Sequence, residues 1–234
     1  MHLIIYFGDS AAERPTLDIN GALFCDVPNV QLIAVAGSIH PDVCNSILSP
    51  DLRSYAKRFA KNVFIPREVN RLRLTETPIV DLKIGASFVQ KDNAQGQTDS
   101  DEITGITLCG SSRGAVTCFE VARELKKIAP IIPVDVIAAE PVPGNCYQYP
   151  GSNAARVTDC SDLTNLQHVS IILGANTGDD ESQSGFLRRI MVIFHRLFFS
   201  QIVPKLPKTT DQDIVVIPEK FICQEVGEMH WILN

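Results

Sequence analysis

A serine hydroxyl is a weak nucleophile unless a fold strains and exposes it, and one stretch of this chain has the residues for that. In GITLCGSSRGAVTC the five residues Gly110-Ser111-Ser112-Arg113-Gly114 fit the pattern G-x-S-x-G. An apolar run of strand length precedes them and a segment of helical periodicity follows. In that context a sharp strand-to-helix turn holds Ser112 exposed at the carboxyl edge of a sheet, and the flanking glycines relieve crowding at the strained backbone. The N-terminus of the following helix then stands beside the negative charge that develops on an attacked carbonyl. The backbone N–H of Arg113 becomes half of an oxyanion hole.

Such a serine needs a base, and the chain offers His2, His40, His168, His195 and His230. With an elbow of this kind the acid and then the histidine follow the serine in chain order, the histidine in a loop after the last strand. His230, in VGEMHW, meets that condition. His195 lies inside an apolar helix candidate, His168 introduces a strand, and His2 and His40 precede the serine. Two carboxylates compete for the third role: Glu140 directly follows VDVIAA, and Asp180, in GANTGDDES, follows VSIILG. Either would hold the imidazole tautomer and stabilise the imidazolium. Asp180 is favoured because the acid more often follows the second strand after the nucleophile, with Glu140 the alternative. A cysteine nucleophile at Cys109 or Cys118 is weaker, since neither stands at the centre of an elbow.

The elements that must position these groups are legible as apolar runs: Leu3 to Phe7, Val30 to Ala36, Ile103 to Cys109, Val134 to Ala139, Val169 to Leu173 and Ile214 to Ile217. They are continuous rather than alternating, as expected of parallel strands covered on both faces. Between the third and fourth, Val116, Phe119, Ala122 and Leu125 repeat at helical spacing, with Lys126 and Lys127 in the last turn and Pro130 beyond. The expected fold is therefore α/β, a mostly parallel six-stranded sheet with helices on both faces, in a single domain over 1–234. Arg53 to Asn62 reads as a basic, weakly amphipathic helix, a solvated face rather than a binding site, and Gln90 to Glu102 as a polar surface loop.

Gly185 to Val203, GFLRRIMVIFHRLFFSQIV, is the most apolar helix candidate. Arg188, Arg189, His195 and Arg196 form one polar stripe along it, which argues against a transmembrane span. The readings are a helix packed on the sheet, or a lid or interfacial segment that meets lipid. With 27 Asp plus Glu against 21 Lys plus Arg, the acidic balance argues against nucleic acid as a partner. The seven cysteines contain no C-x-x-C pair, so no zinc site is expected. No nucleotide-binding glycine motif is present either, and neither a metal nor another cofactor is expected. Most of the thiols read as core residues, and only Cys146 and Cys160 bracket a loop in a way that would let them pair. MHLIIYFGDS lacks the basic leader and cleavage site of a signal peptide, so a reducing cytosol is the expected compartment.

The combination of FGDS after the first strand, GSSRGAV at the elbow, AAEPVPG after the next strand, DDESQSGF and a late histidine resembles the α/β-hydrolases. Within them it is similar to bacterial serine hydrolases of effector type, phospholipases included, whose elbow reads G-x-S-R-G-A. Ser112 to Ala115 keeps the core of that elbow, and Asp180, Glu181 and Phe186 keep an acidic pair and a phenylalanine at the family's spacing. Glu140 stands where the family usually has Asp, and the glycine before the histidine is displaced to Gly227. The resemblance implies that the loop after the first strand, at Gly8 and Asp9, supplies the second oxyanion donor. It implies a serine hydrolase that cleaves an ester, preferably a lipid or acyl ester, with membrane contact through 185–203 and residence in its producer's cytoplasm or a host cytosol. The alternative is a catalytically inactive module of the same fold that binds a host protein or a membrane.

Overall fold

The computed structural model describes residues 1–8, 30–35, 51–68, 71–74, 102–144, 152–174 and 200–217. Six strands form the main sheet: β1 (His2–Phe7), β2 (Val30–Val35), β5 (Gly105–Ser111), β6 (Val134–Ala139), β7 (Leu166–Gly174) and β8 (Asp211–Ile217). Their spatial order is β2-β1-β5-β6-β7-β8, and each neighbouring pair is parallel. A short antiparallel hairpin, β3 (Phe64–Glu68) and β4 (Arg71–Leu74), lies apart from it. The class is α/β with a mostly parallel sheet. From β1 the chain moves outward to β2 and then crosses back to β5 on the other side of β1. The carboxyl ends of β1 and β5 therefore flank the topological switch point, where open α/β sheets bind their ligands.

Three helices are described: α1 (Leu52–Val63), α2 (Arg113–Ile128) and α3 (Asn153–Thr158). The α1 helix forms because Leu52, Tyr55, Ala56, Phe59, Ala60 and Val63 make one buried stripe at helical spacing. Asp51 caps it, accepting from the Ser54 backbone N–H at 3.1 Å and from the Ser54 hydroxyl at 2.6 Å. The Phe59 ring meets Phe7 of β1 edge-on, with centroids 4.9 Å apart, and meets Phe64 at 6.3 Å. Burying one such side chain contributes about 2 kcal/mol, so this aromatic trio fixes α1 over the start of the sheet. Val116, Phe119, Ala122 and Leu125 of α2 are all buried, as their spacing predicts. The Ala129 N–H closes the helix on the Leu125 carbonyl at 2.7 Å, and Pro130 follows.

The α2 helix packs on β1, β5 and β6 and is flanked by α1 and α3, with α1 also reaching β1 through Phe59. Of the helix expected over 185–203, packed on the sheet or serving as a lid, residues 185–199 lie outside the described residues. Its expected end at Val203 needs correction, because Ser200–Val203 is not helical. Pro204 disfavours helical geometry at Val203. The Ile202 N–H is spent on the Pro141 carbonyl at 2.9 Å, while the Gln201 side-chain amide donates to the Gly174 carbonyl at 3.2 Å. The pairing of Cys146 with Cys160 also fails, since the Cys160 thiol is free, buried and donated to the Val157 carbonyl at 3.3 Å. Cys146 itself lies outside the described residues. Among the described residues no helix is long and apolar enough to cross a membrane.

Candidate active site

The turn from β5 into α2 is as tight as its glycines suggest. A Cβ on Gly110 would lie 2.5 Å from the Gly114 carbonyl carbon, and one on Gly114 would lie 2.3 Å from the Phe7 carbonyl oxygen. No real Cβ tolerates such contacts with backbone, so the sequence spacing G-x-S-x-G is a packing requirement between β5, α2 and the end of β1. Between the two glycines Ser112 adopts φ 53°, ψ −117°, a conformation that a side chain rarely takes. Its N–H donates to the Ala139 carbonyl at the end of β6, at 2.9 Å, and its carbonyl accepts from Val142 at 3.2 Å. The Ser112 side chain makes no cap hydrogen bond to the helix it precedes. The hydroxyl is thus held half-exposed at the switch point, and the helix does not consume it.

Arg113 is the first residue of α2 and directly follows Ser112 at the turn. That is the position an oxyanion donor requires. Gly8 does not match its expected role. Its N–H donates to the Val35 carbonyl at 2.9 Å, extending the β1–β2 ladder by one bond, and so is not aimed at the elbow. Asp9, the other residue expected there, lies outside the described residues.

The residue after β6 provides the second strained position. Glu140 has φ 47°, and it and Ser112 are the two non-glycine residues with positive φ among the described residues. Four hydrogen bonds fix the strap that follows. The Glu140 N–H donates to the Ile172 carbonyl at 2.7 Å and the Val142 N–H to the Ser112 carbonyl. The Pro143 carbonyl accepts from the Asn153 side-chain amide at 3.1 Å, and the Pro141 carbonyl from Ile202. Glu140 therefore stands, strained and half-buried, on the strand end next to the elbow.

Neither described histidine belongs to this edge. The His2 ring bonds the Thr107 hydroxyl at 2.8 Å, in register with Gly105 at the opposite end of the sheet. His168 opens β7 at that same amino edge, with Asp135 at 3.1 Å and Asp211 at 3.5 Å. This excludes both as bases for Ser112. His230 and Asp180 lie outside the described residues, as do His40 and His195. The cysteine alternative weakens further, because burial pushes the Cys109 thiol up to about 12, and burial together with Cys109 pushes Cys118 well above its ordinary value. Such thiols are protonated and unreactive. Among the described residues no group of three or more His, Cys, Asp or Glu side chains could hold a metal ion.

The strap from Pro141 to Gly144, which ties Glu140 to the elbow, was not expected from local patterning. Its two prolines in PVPG were the available signal. No protein-family model matches the chain, and no curated protein matches it in sequence.

Proposed function

We propose that this chain is a serine hydrolase built on a minimal α/β-hydrolase core and that its substrate is an ester. The observation that carries the reading is the backbone of Ser112, strained at the carboxyl edge of β5 and enforced by two glycines that admit no side chain. Strain of this kind costs about 1–3 kcal/mol and persists where surrounding structure over-determines it. In the proposed reaction the Ser112 hydroxyl attacks the ester carbonyl while His230 takes its proton. The tetrahedral oxyanion accepts from the Arg113 amide, and the alcohol leaves with the proton that His230 returns. Water, deprotonated by the same histidine, then releases the acid from Ser112. Of the two candidate acids, Glu140 gains support from its own strained backbone beside the elbow. A lipid or acyl ester is the preferred class, motivated by the apolar run 185–203 and by the resemblance of the elbow to effector-type phospholipases. A cytosolic setting, in the producer or a host, fits three free thiols.

A fluorophosphonate probe tests the nucleophile. The intact protein should label, and Ser112→Ala should abolish labelling. An unlabelled intact protein would instead favour a module that keeps the fold for binding a host protein or membrane. Glu140→Gln should lower ester turnover about a thousand-fold or more if Glu140 orients the base. An unchanged rate would return that role to Asp180.

A further inference from the structure

The chain is acidic overall, yet residues 51–74 carry seven Lys or Arg against two Asp or Glu. The structure leaves Arg53, Lys57, Arg58 and Lys61 on the exposed side of α1. Arg53, Lys57 and Lys61 recur every fourth residue on the solvent side of α1, a row about 12 Å long, with Arg58 beside it and Arg67 following in β3. All five are exposed, and none is ion-paired among the described residues. Two acids whose side chains the structure describes are engaged elsewhere: Asp51 caps the helix through Ser54, and Glu102 pairs with Arg71 at 3.1 Å. Lys61 suits the last turn of α1, but like charges four apart destabilise a helix, so the spacing from Arg53 to Lys57 to Lys61 does not serve its stability. Ile65, 37% exposed, follows the helix in β3 and adds an exposed aliphatic group to this segment.

We infer that this face of α1 and β3 docks on an anionic lipid bilayer. The match is one of charge: a row of exposed cations with no ion pair among the described residues, spread along an open helix face, fits a planar field of negative headgroups. The aromatic residues of the segment, Tyr55, Phe59 and Phe64, are all buried. The face therefore offers no stacking platform for a single-stranded nucleic acid, while Ile65 can enter the headgroup region. The inference is independent of whether Ser112 is catalytic, and it concerns a different part of the chain from 185–203.

Flotation of the intact protein with vesicles tests it. Vesicles of equal parts phosphatidylcholine and phosphatidylserine should carry the protein, and pure phosphatidylcholine should not. Binding should fall steeply with added salt. Each cation contributes about a five-fold factor in partitioning, so Arg53→Gln/Lys57→Gln/Lys61→Gln should weaken binding about a hundred-fold. All three substitutions are on exposed side chains, and an unchanged thermal midpoint would verify that the variant folds. Equal binding to both vesicle types would overturn the inference, as would full retention by the triple variant. Tighter binding to duplex DNA or to an acidic polypeptide than to the charged vesicles would overturn it in favour of that partner.

Discussion

Gly114 shows how little freedom the elbow has. An added methyl would meet the Phe7 and Gly8 carbonyl oxygens at 2.3 and 2.7 Å, at the end of a strand paired on both sides. Gly114→Ala must therefore push α2 away from β1, and it should cost about 3 kcal/mol, at the upper end of overpacking, seen as a lower urea midpoint. Ser112 gives a prediction of opposite sign. Because φ 53° suits glycine better than any L side chain, Ser112→Gly should be more stable than Ser112→Ala by about 1 kcal/mol, although both lose the hydroxyl. Equal midpoints would mean that the elbow relaxes when the hydroxyl is removed. The glycines and Ser112 were legible because a spacing of residue types encodes a backbone requirement directly. Glu140 carries no such mark, since glutamate is not a residue that sequence associates with positive φ. Gly8 was misassigned for a related reason: which amide a strand spends on its neighbour depends on register, and register with β2 is not written in the FGDS motif.

Among the elements, α1, α2 and β6 were legible to within about a residue, α2 because its apolar positions repeat at helical spacing and β6 because its apolar run is continuous and of strand length. The β3–β4 hairpin was missed because β3 holds a proline and the alternation of β4, Arg71-Leu72-Arg73-Leu74, runs for four residues only. The contact between α2 and α3 was equally hidden, since it joins residues far apart in sequence. There Glu120, fully buried, accepts from Arg156 Nε at 2.6 Å, and Arg156 also donates to Asn153 at 2.7 Å. Arg123 lies 3.9 Å from the same glutamate and spends its other nitrogens on Asp162 and the Arg156 carbonyl. A buried carboxylate that loses its cation is costly, whereas removing both charges is not. Arg156→Met should thus lose about 3 kcal/mol in urea unfolding, and Glu120→Leu/Arg156→Met should regain most of it. A double variant as unstable as the single one would show that packing, not charge, fails in Arg156→Met. Through Asn153 and the Pro143 carbonyl the same cluster braces the strap that begins at Glu140.

For the molecule as a whole, the order of strands determines where chemistry is possible, and the core determines the conditions it survives. Parallel pairing puts Ser112 and Glu140 at one edge of the sheet and His2 and His168 at the other, a separation that no local motif could convey. The same burial that seats the sheet makes the described cysteines into thiols that resist ionisation. Cys109 and Cys160 are each pushed by burial from about 9 up to about 12, Arg123 partly opposing the shift at Cys160, and Cys118 is pushed up as well. In the unfolded chain these thiols lose their protons near pH 9, while in the folded chain they keep them to about pH 12. Between those values the unfolded state binds fewer protons, so stability must fall as pH rises. The thiols' contribution is complete below pH 9 and is lost on the way to pH 12. Each thiol steepens the fall by at most about 1.4 kcal/mol per pH unit. Urea midpoints at neutral pH and at two values above pH 9 should show that decline. Cys160→Ala should be somewhat less stable at neutral pH, because it leaves a small cavity, yet should decline less steeply above pH 9. Parallel curves for the two proteins would mean that Cys160 ionises as readily in the folded state as in the unfolded one, and that the core around it admits water.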